Sequence, residues 1–319
     1  MASFNFGERI SGRSVVGDTL HAMGKVHENL FVLTADTGMA LKSFRDDFRP
    51  RYIDVGIAEQ TMVGIAAGLA LEENIPFIMN MIPFMTMRAC EQIRTAVCYQ
   101  NLPVRFVGTG GGLTSGGGST HNAMEDISLM RSLVNMTVLS IGDPNMIRNI
   151  LELSWDYPGP MFIRLAQGKA DRVIYEPVAM QYEIGKATLA RKGSDVTVFA
   201  HGEMVFEALT AAGELAKEDI DVRVVDMFTI KPIDEEAIVQ AAEQTYGIVV
   251  VEDHLMFGGL ASAIADILAD KGISVPFRRL GIPQVYAGFG SGEELRTKYG
   301  YDTHAVIAAV KDICGLGAK

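Results

Sequence analysis

The chain has 319 residues, with 39 acidic against 28 basic side chains and a formal charge of −11. Apolar residues make up 48% and charged residues 21%, a balance that builds packed cores and excludes a disordered or fibrous protein. The acidic excess argues against a nucleic-acid backbone or an anionic membrane as the main partner, and no run of about 18 apolar residues suggests a spanning helix.

Residues 1–13 mix polar and charged side chains without an apolar stretch, so they do not read as a secretory signal. Cys90, Cys98 and Cys314 show no C-x-x-C spacing and read as free thiols in a reducing, cytoplasmic setting. Short apolar runs predict strands at 30–33, 77–81, 104–107, 137–141 and 161–164, then at 196–200, 222–226 and 248–251. Helical patterns lie between them at 14–26, 58–71, 86–100, 145–155, 204–217, 234–243 and 258–270. Such alternation predicts an α/β protein of two domains, each a mainly parallel sheet flanked by helices. The charged, glycine-containing stretch 167–195 lacks a long apolar period and reads as a crossover, giving domains at 1–180 and 181–319.

Seven of the eleven residues from Gly108 to Gly118 are glycine, directly after the predicted strand 104–107. Ligands of open α/β sheets bind at the carboxyl ends of strands, and glycine permits close backbone approach there. The cluster has no lysine and no G-x-G-x-x-G register, so it is neither a mononucleotide P-loop nor a dinucleotide fingerprint. A lone histidine is usually structural, but His121 follows the glycine loop at a strand's carboxyl edge, a better than average place for proton transfer or for hydrogen bonding an oxygen. Asp126, a turn further on, reads as an ordinary first-turn acid.

Glu59 opens a helical segment that is almost wholly small or apolar. A carboxyl in that position is costly unless paired or protonated. Two readings stand: an acid favoured by the helix dipole, or a carboxyl hydrogen-bonded to a ligand nitrogen.

The segment Asp54-Val55-Gly56-Ile57-Ala58-Glu59-Gln60 resembles the pyrimidine-binding signature of the transketolase family of thiamine diphosphate enzymes. Glu91-Gln92-Ile93-Arg94, Ser119-Thr120-His121 and Gly159-Pro160-Met161-Phe162-Ile163-Arg164 follow in family-like order. So do Asp226-Met227-Phe228-Thr229-Ile230-Lys231-Pro232 and Glu252-Asp253-His254 with Gly258-Gly259 in the second half, so the resemblance covers essentially the whole chain. It implies that Glu59 hydrogen-bonds a nitrogen of the cofactor's aminopyrimidine and activates it. It implies, too, that Ile57 and Phe84 contact the cofactor, Phe84 by stacking. His121 corresponds to a histidine that touches substrate oxygens, and Arg164 to an arginine that binds the substrate's phosphate. Asp36 and Arg13 are further residues for the substrate mouth.

Two departures stand out. The acidic pair that the family usually carries inside the glycine loop is replaced by Ser115-Gly116-Gly117-Gly118, and a usual histidine is Thr109, which puts the common ketose donors in doubt. The Gly-Asp-Gly…Asn pattern that holds Mg²⁺ and the diphosphate is missing, Gly17-Asp18-Thr19 and Gly142-Asp143-Pro144 being the nearest approaches. The resemblance therefore implies one subunit of a split transketolase, moving a two-carbon ketol unit between sugar phosphates. A separate N-terminal subunit then holds Mg²⁺, in an α₂β₂ heterotetramer. The alternatives are the beta subunit of a 2-oxoacid dehydrogenase decarboxylase component, a 1-deoxyxylulose-5-phosphate synthase-like enzyme, or a catalytically silent assembly partner.

Overall fold

A computed structural model describes residues 4–114, 117–166, 171–175 and 181–316. The polypeptide divides into two compact units, Met1–Gly111 with Leu129–Met180 and Gly112–Ser128 with Gln181–Lys319. Each unit is built on its own sheet, as the alternating pattern implies.

In the first unit six parallel strands lie side by side in the order Thr137–Ile141, Met161–Leu165, Arg105–Thr109, Ile75–Met81, Leu30–Thr34 and Tyr52–Asp54. The strands Arg105–Thr109, Thr137–Ile141 and Met161–Leu165 are buried at every position, which is why they read as mostly apolar runs with no in–out alternation. Strand Tyr52–Asp54 escapes the sequence reading because three residues at a sheet edge leave no periodic signal. From Leu30–Thr34 the chain runs outward to Tyr52–Asp54 and then returns to Ile75–Met81 on the other side. The strand order thus reverses between Leu30–Thr34 and Ile75–Met81, and the carboxyl ends of these two strands flank the crevice where such sheets bind ligands.

The second unit carries a five-stranded sheet in the order Phe277–Ile282, Ile248–Leu255, Val196–Ala200, Val222–Asp226 and Thr188–Arg191, all parallel except the last. Thr188–Arg191 falls inside the stretch expected to be a crossover, which is therefore partly sheet. Of that stretch, residues 167–170 and 176–180 lie outside the described residues.

The expected helix at 86–100 is not a uniform α-helix. Phe84–Arg88 and Ile93–Cys98 are π-helical, with a short α-turn Cys90–Gln92 between them. Single π-turns of this kind occur often at functional sites. Among the described residues no helix is long and apolar enough to cross a membrane.

Candidate active site

Four of the residues singled out from sequence, Asp36, Ile57, Glu59 and Phe84, follow the carboxyl ends of strands in the first unit's sheet. Helix Glu59–Leu71 begins just beyond the carboxyl end of strand Tyr52–Asp54, and Glu59 is its first residue, only 2% exposed. Arg88 answers the cost of burying that carboxylate: its Nη1 donates to Glu59 Oε2 at 2.6 Å. The same guanidinium lies over the Phe84 ring, 4.7 Å from its centroid. Phe84 and Arg88 are the first and last residues of one π-turn, so four-residue spacing places ring and cation on one face. Arg88 went unread in the sequence. Its signal was a lone cation four residues after an aromatic, inside a run of methionines.

The neighbouring strand end is tied across the crevice. Thr37 Oγ1 donates to Met79 O at 3.2 Å and to Asn80 Oδ1 at 3.0 Å. Asn80 is 1% exposed and its Nδ2 has no hydrogen-bond partner. A buried orphan donor and a buried carboxylate at one reversal point suit a polar heterocycle, which needs both donors and acceptors from the protein. The residues present thus fit the aminopyrimidine end of thiamine diphosphate. Ile57, in the bend before the helix, is 73% exposed, as a residue waiting for a ligand or a partner surface is free to be.

Asp36 is exposed at the end of strand Leu30–Thr34 in a left-handed conformation, φ 57°, and its N–H donates to Asp54 Oδ1 at 3.0 Å. Arg13, half-buried in helix Gly12–Gly24, stands away from these contacts near Asp171; burial lowers its pKa and the Asp171 charge opposes that shift. Arg164, in strand Met161–Leu165, is 1% exposed, with its guanidinium against the backbone of Gly111, where a Cβ would come within 2.6 Å of Cζ.

In the second unit, His121 is half-buried and shares a 2.8 Å hydrogen bond between its Nδ1 and Thr120 Oγ1. Its ring packs on Gly117, whose missing side chain leaves the room. Asn122 beside it is 4% exposed with neither end of its amide hydrogen-bonded. Of the two positions where the family's loop acids are replaced, Gly116 lies outside the described residues. Among the described residues no group of three or more His, Cys, Asp or Glu side chains is placed to hold a metal ion.

Comparison with known proteins decides the family. The description "Transketolase, pyrimidine binding domain" matches residues 8–171, and "Transketolase, C-terminal domain" matches 185–306. The chain belongs to the transketolase family. A protein of Methanocaldococcus jannaschii, provisionally named a transketolase C-terminal section, is 37% identical over 304 residues, covering 94% of this chain and 95% of that protein. A 6-deoxy-6-sulfo-D-fructose transketolase subunit of Clostridium sp. is 36% identical over 304 residues, covering 94% of each chain. A solved structure described as a split gene transketolase, inactive beta4 tetramer, superposes with a TM-score of 0.87 at 36% identity, covering 98% of this chain and all of that one. Transketolase-type transfer of a two-carbon ketol unit is therefore the chemistry this chain takes part in, as a subunit carrying the pyrimidine-binding and C-terminal domains.

Proposed function

We propose that this chain supplies the pyrimidine half of a thiamine diphosphate site, and that a separate N-terminal subunit supplies Mg²⁺ and the diphosphate half. The observation that carries the reading is Glu59: a carboxylate buried to 2% at the start of an apolar helix, next to the reversal crevice, in a chain whose matches are confined to pyrimidine-binding and C-terminal domains. When bound, the cofactor supplies the carbon nucleophile; the protein supplies orientation and protonation state.

Glu59 then holds a proton toward the ring nitrogen. To do so it must be released from Arg88, which can turn outward because 43% of its side chain is exposed. Phe84 offers its face for stacking, and Ile57 closes the apolar wall beside it. His121, steadied by Thr120, donates to or accepts from substrate oxygens. Arg164 suits a terminal anion through its guanidinium fork, and its burial makes that contact conditional on movement at Gly111. Asp36 and Arg13 are assigned to the outer substrate mouth.

The substrates are sugars carrying a terminal anion. The loop's lack of acids points away from the common ketose phosphates, and the Clostridium relative is named for a sulfonated sugar. The assembly is α₂β₂, and its compartment is cytoplasmic, in keeping with three cysteines that show no C-x-x-C spacing. The test is to co-purify the chain with an N-terminal transketolase subunit and assay the mixture with thiamine diphosphate, Mg²⁺ and a panel of phosphorylated and sulfonated ketoses. Ketol transfer by the mixture and none by either subunit alone is the expected result; full turnover by this chain alone refutes the split site. Glu59→Gln in the mixture is expected to lower kcat by at least about 100-fold with assembly intact.

A further inference from the structure

The His121 loop lies within the span expected for the first domain, yet Gly112–Ser128 packs with the C-terminal unit. It is closed at its base by an antiparallel bridge, with Gly112 N–H donating to Ala123 O at 2.7 Å and Ala123 N–H to Gly112 O at 3.3 Å. Gly112 and Ala123 are therefore the two legs of one excursion, and His121 stands two residues before the second leg.

Three consecutive residues at the carboxyl end of strand Ile248–Leu255 grip both legs of this excursion. Asp253 Oδ1 accepts the Leu113 N–H at 3.1 Å. His254 Nε2 accepts the Ser128 N–H at 3.3 Å, while its Nδ1 is hydrogen-bonded to Leu255 O at 2.7 Å. Leu255 N–H donates to Met124 O at 2.9 Å. Behind them, Tyr301 O–H donates to the same Asp253 Oδ1 at 2.9 Å, and Asp253 and Tyr301 are 4% and 0% exposed. Burial, then the Asp253 charge, keep the Tyr301 phenol far above its ordinary pKa, so it stays a donor. Gly112, at φ +72°, sits so close that a Cβ would lie 2.0 Å from Asp253 Oδ2. Arg296 balances the acid cluster, with Nη1 3.4 Å from Glu203.

A buried carboxylate is a costly way to fill space. Its return here is directional: an apolar side chain would pack against Gly112 but would not fix the Leu113 N–H. We propose that Asp253, backed by Tyr301, is a positioning residue through which the C-terminal domain sets the His121 loop for the substrate. The role of His121 rests on the function proposed above; the clamp itself rests only on the contacts just described.

Hydrogen–deuterium exchange on the intact chain tests the clamp without any substrate. Asp253→Ala is expected to speed exchange of the 112–124 amides at least about tenfold while strand Arg105–Thr109 keeps its protection. Asp253→Asn, which retains an acceptor oxygen for both donors, is expected to restore most of it. Tyr301→Phe removes one donor only and is expected to loosen the loop in the same direction by less; it serves if Asp253→Ala does not fold. Unchanged exchange at 112–124 in folded Asp253→Ala, or in Tyr301→Phe where Asp253→Ala does not fold, overturns the clamp. In the two-subunit enzyme, Asp253→Ala is expected to lower kcat/KM for the ketose about 10- to 100-fold with thiamine diphosphate affinity unaltered. A loosened loop with unaltered kcat/KM overturns the positioning role. Absence of ketol transfer by the wild-type mixture instead sinks the function reading and leaves the exchange result standing.

Discussion

At the scale of single residues, the site turns on which partner holds Glu59. In the structure Arg88 does, and it also covers Phe84, so one side chain engages both groups assigned to the aminopyrimidine. Arg88 and the cofactor ring then compete for one carboxylate. Arg88 is 43% exposed, so water can solvate its guanidinium as it turns away from Glu59, and the competition is weak. Arg88→Ala is expected to tighten thiamine diphosphate binding to the two-subunit enzyme by no more than about fivefold, followed by circular dichroism titration. A large loss of affinity would show that Arg88 grips the bound cofactor rather than yielding to it. Glu59 was legible in sequence because an acid beginning an apolar helix demands a reason. Arg88 was not, since its role depends on a π-turn that no hydrophobic period announces.

At the scale of elements, the strands were the most legible part. Strands 137–141, 196–200 and 222–226 coincide with the predicted runs, because a strand largely buried on both faces is mostly apolar. Strand Phe277–Ile282 hid behind Arg278 and Arg279, which an edge strand can point to water. Helix Gly292–Tyr299 carried a readable Ser291/Glu294 capping box and a Gly300 stop, but its charged body lacks an apolar stripe.

The start of helix Leu260–Asp270 offers a sharper test of an element. Glu252, fully buried, accepts the Leu260 N–H at 2.7 Å and the Ala261 N–H at 3.0 Å. Burial pushes its pKa up, but His201, His254 and the Ala261 N–H together bring it below the ordinary carboxylate value. A carboxyl whose pKa is lowered by folding stabilises the protein above its unfolded pKa, and that contribution fades as pH falls through the folded value. Glu252→Gln is expected to cost about 1–3 kcal/mol at pH 7, by urea unfolding, because one N–H then meets an amide NH₂. The gap between variant and wild type is expected to narrow as pH falls below about 4.5. A gap that widens in acid would contradict the assignment.

At the scale of the whole molecule, the chain carries a pyrimidine-binding and a C-terminal domain, and one helix face of the first is open to a partner subunit of the kind proposed above. Along Glu59–Leu71 the residues Gln60, Thr61, Gly64, Gly68 and Leu71 are exposed, and a Cβ placed on Gly64 or Gly68 would touch nothing within 4 Å. Two open glycines four apart cost a surface helix about 1 kcal/mol each relative to alanine. That cost has a return if another backbone must come close to the same helix that begins at Glu59. Gly64→Leu separates the two demands. Leucine favours the helix and meets no neighbour within this chain, so thermal stability of the isolated chain is expected to hold or rise by up to about 1 kcal/mol. Co-purification with the N-terminal subunit is expected to fall at least about tenfold, because a close backbone approach has no room for the added side chain. Intact assembly by a stable Gly64→Leu chain would place the shared interface elsewhere.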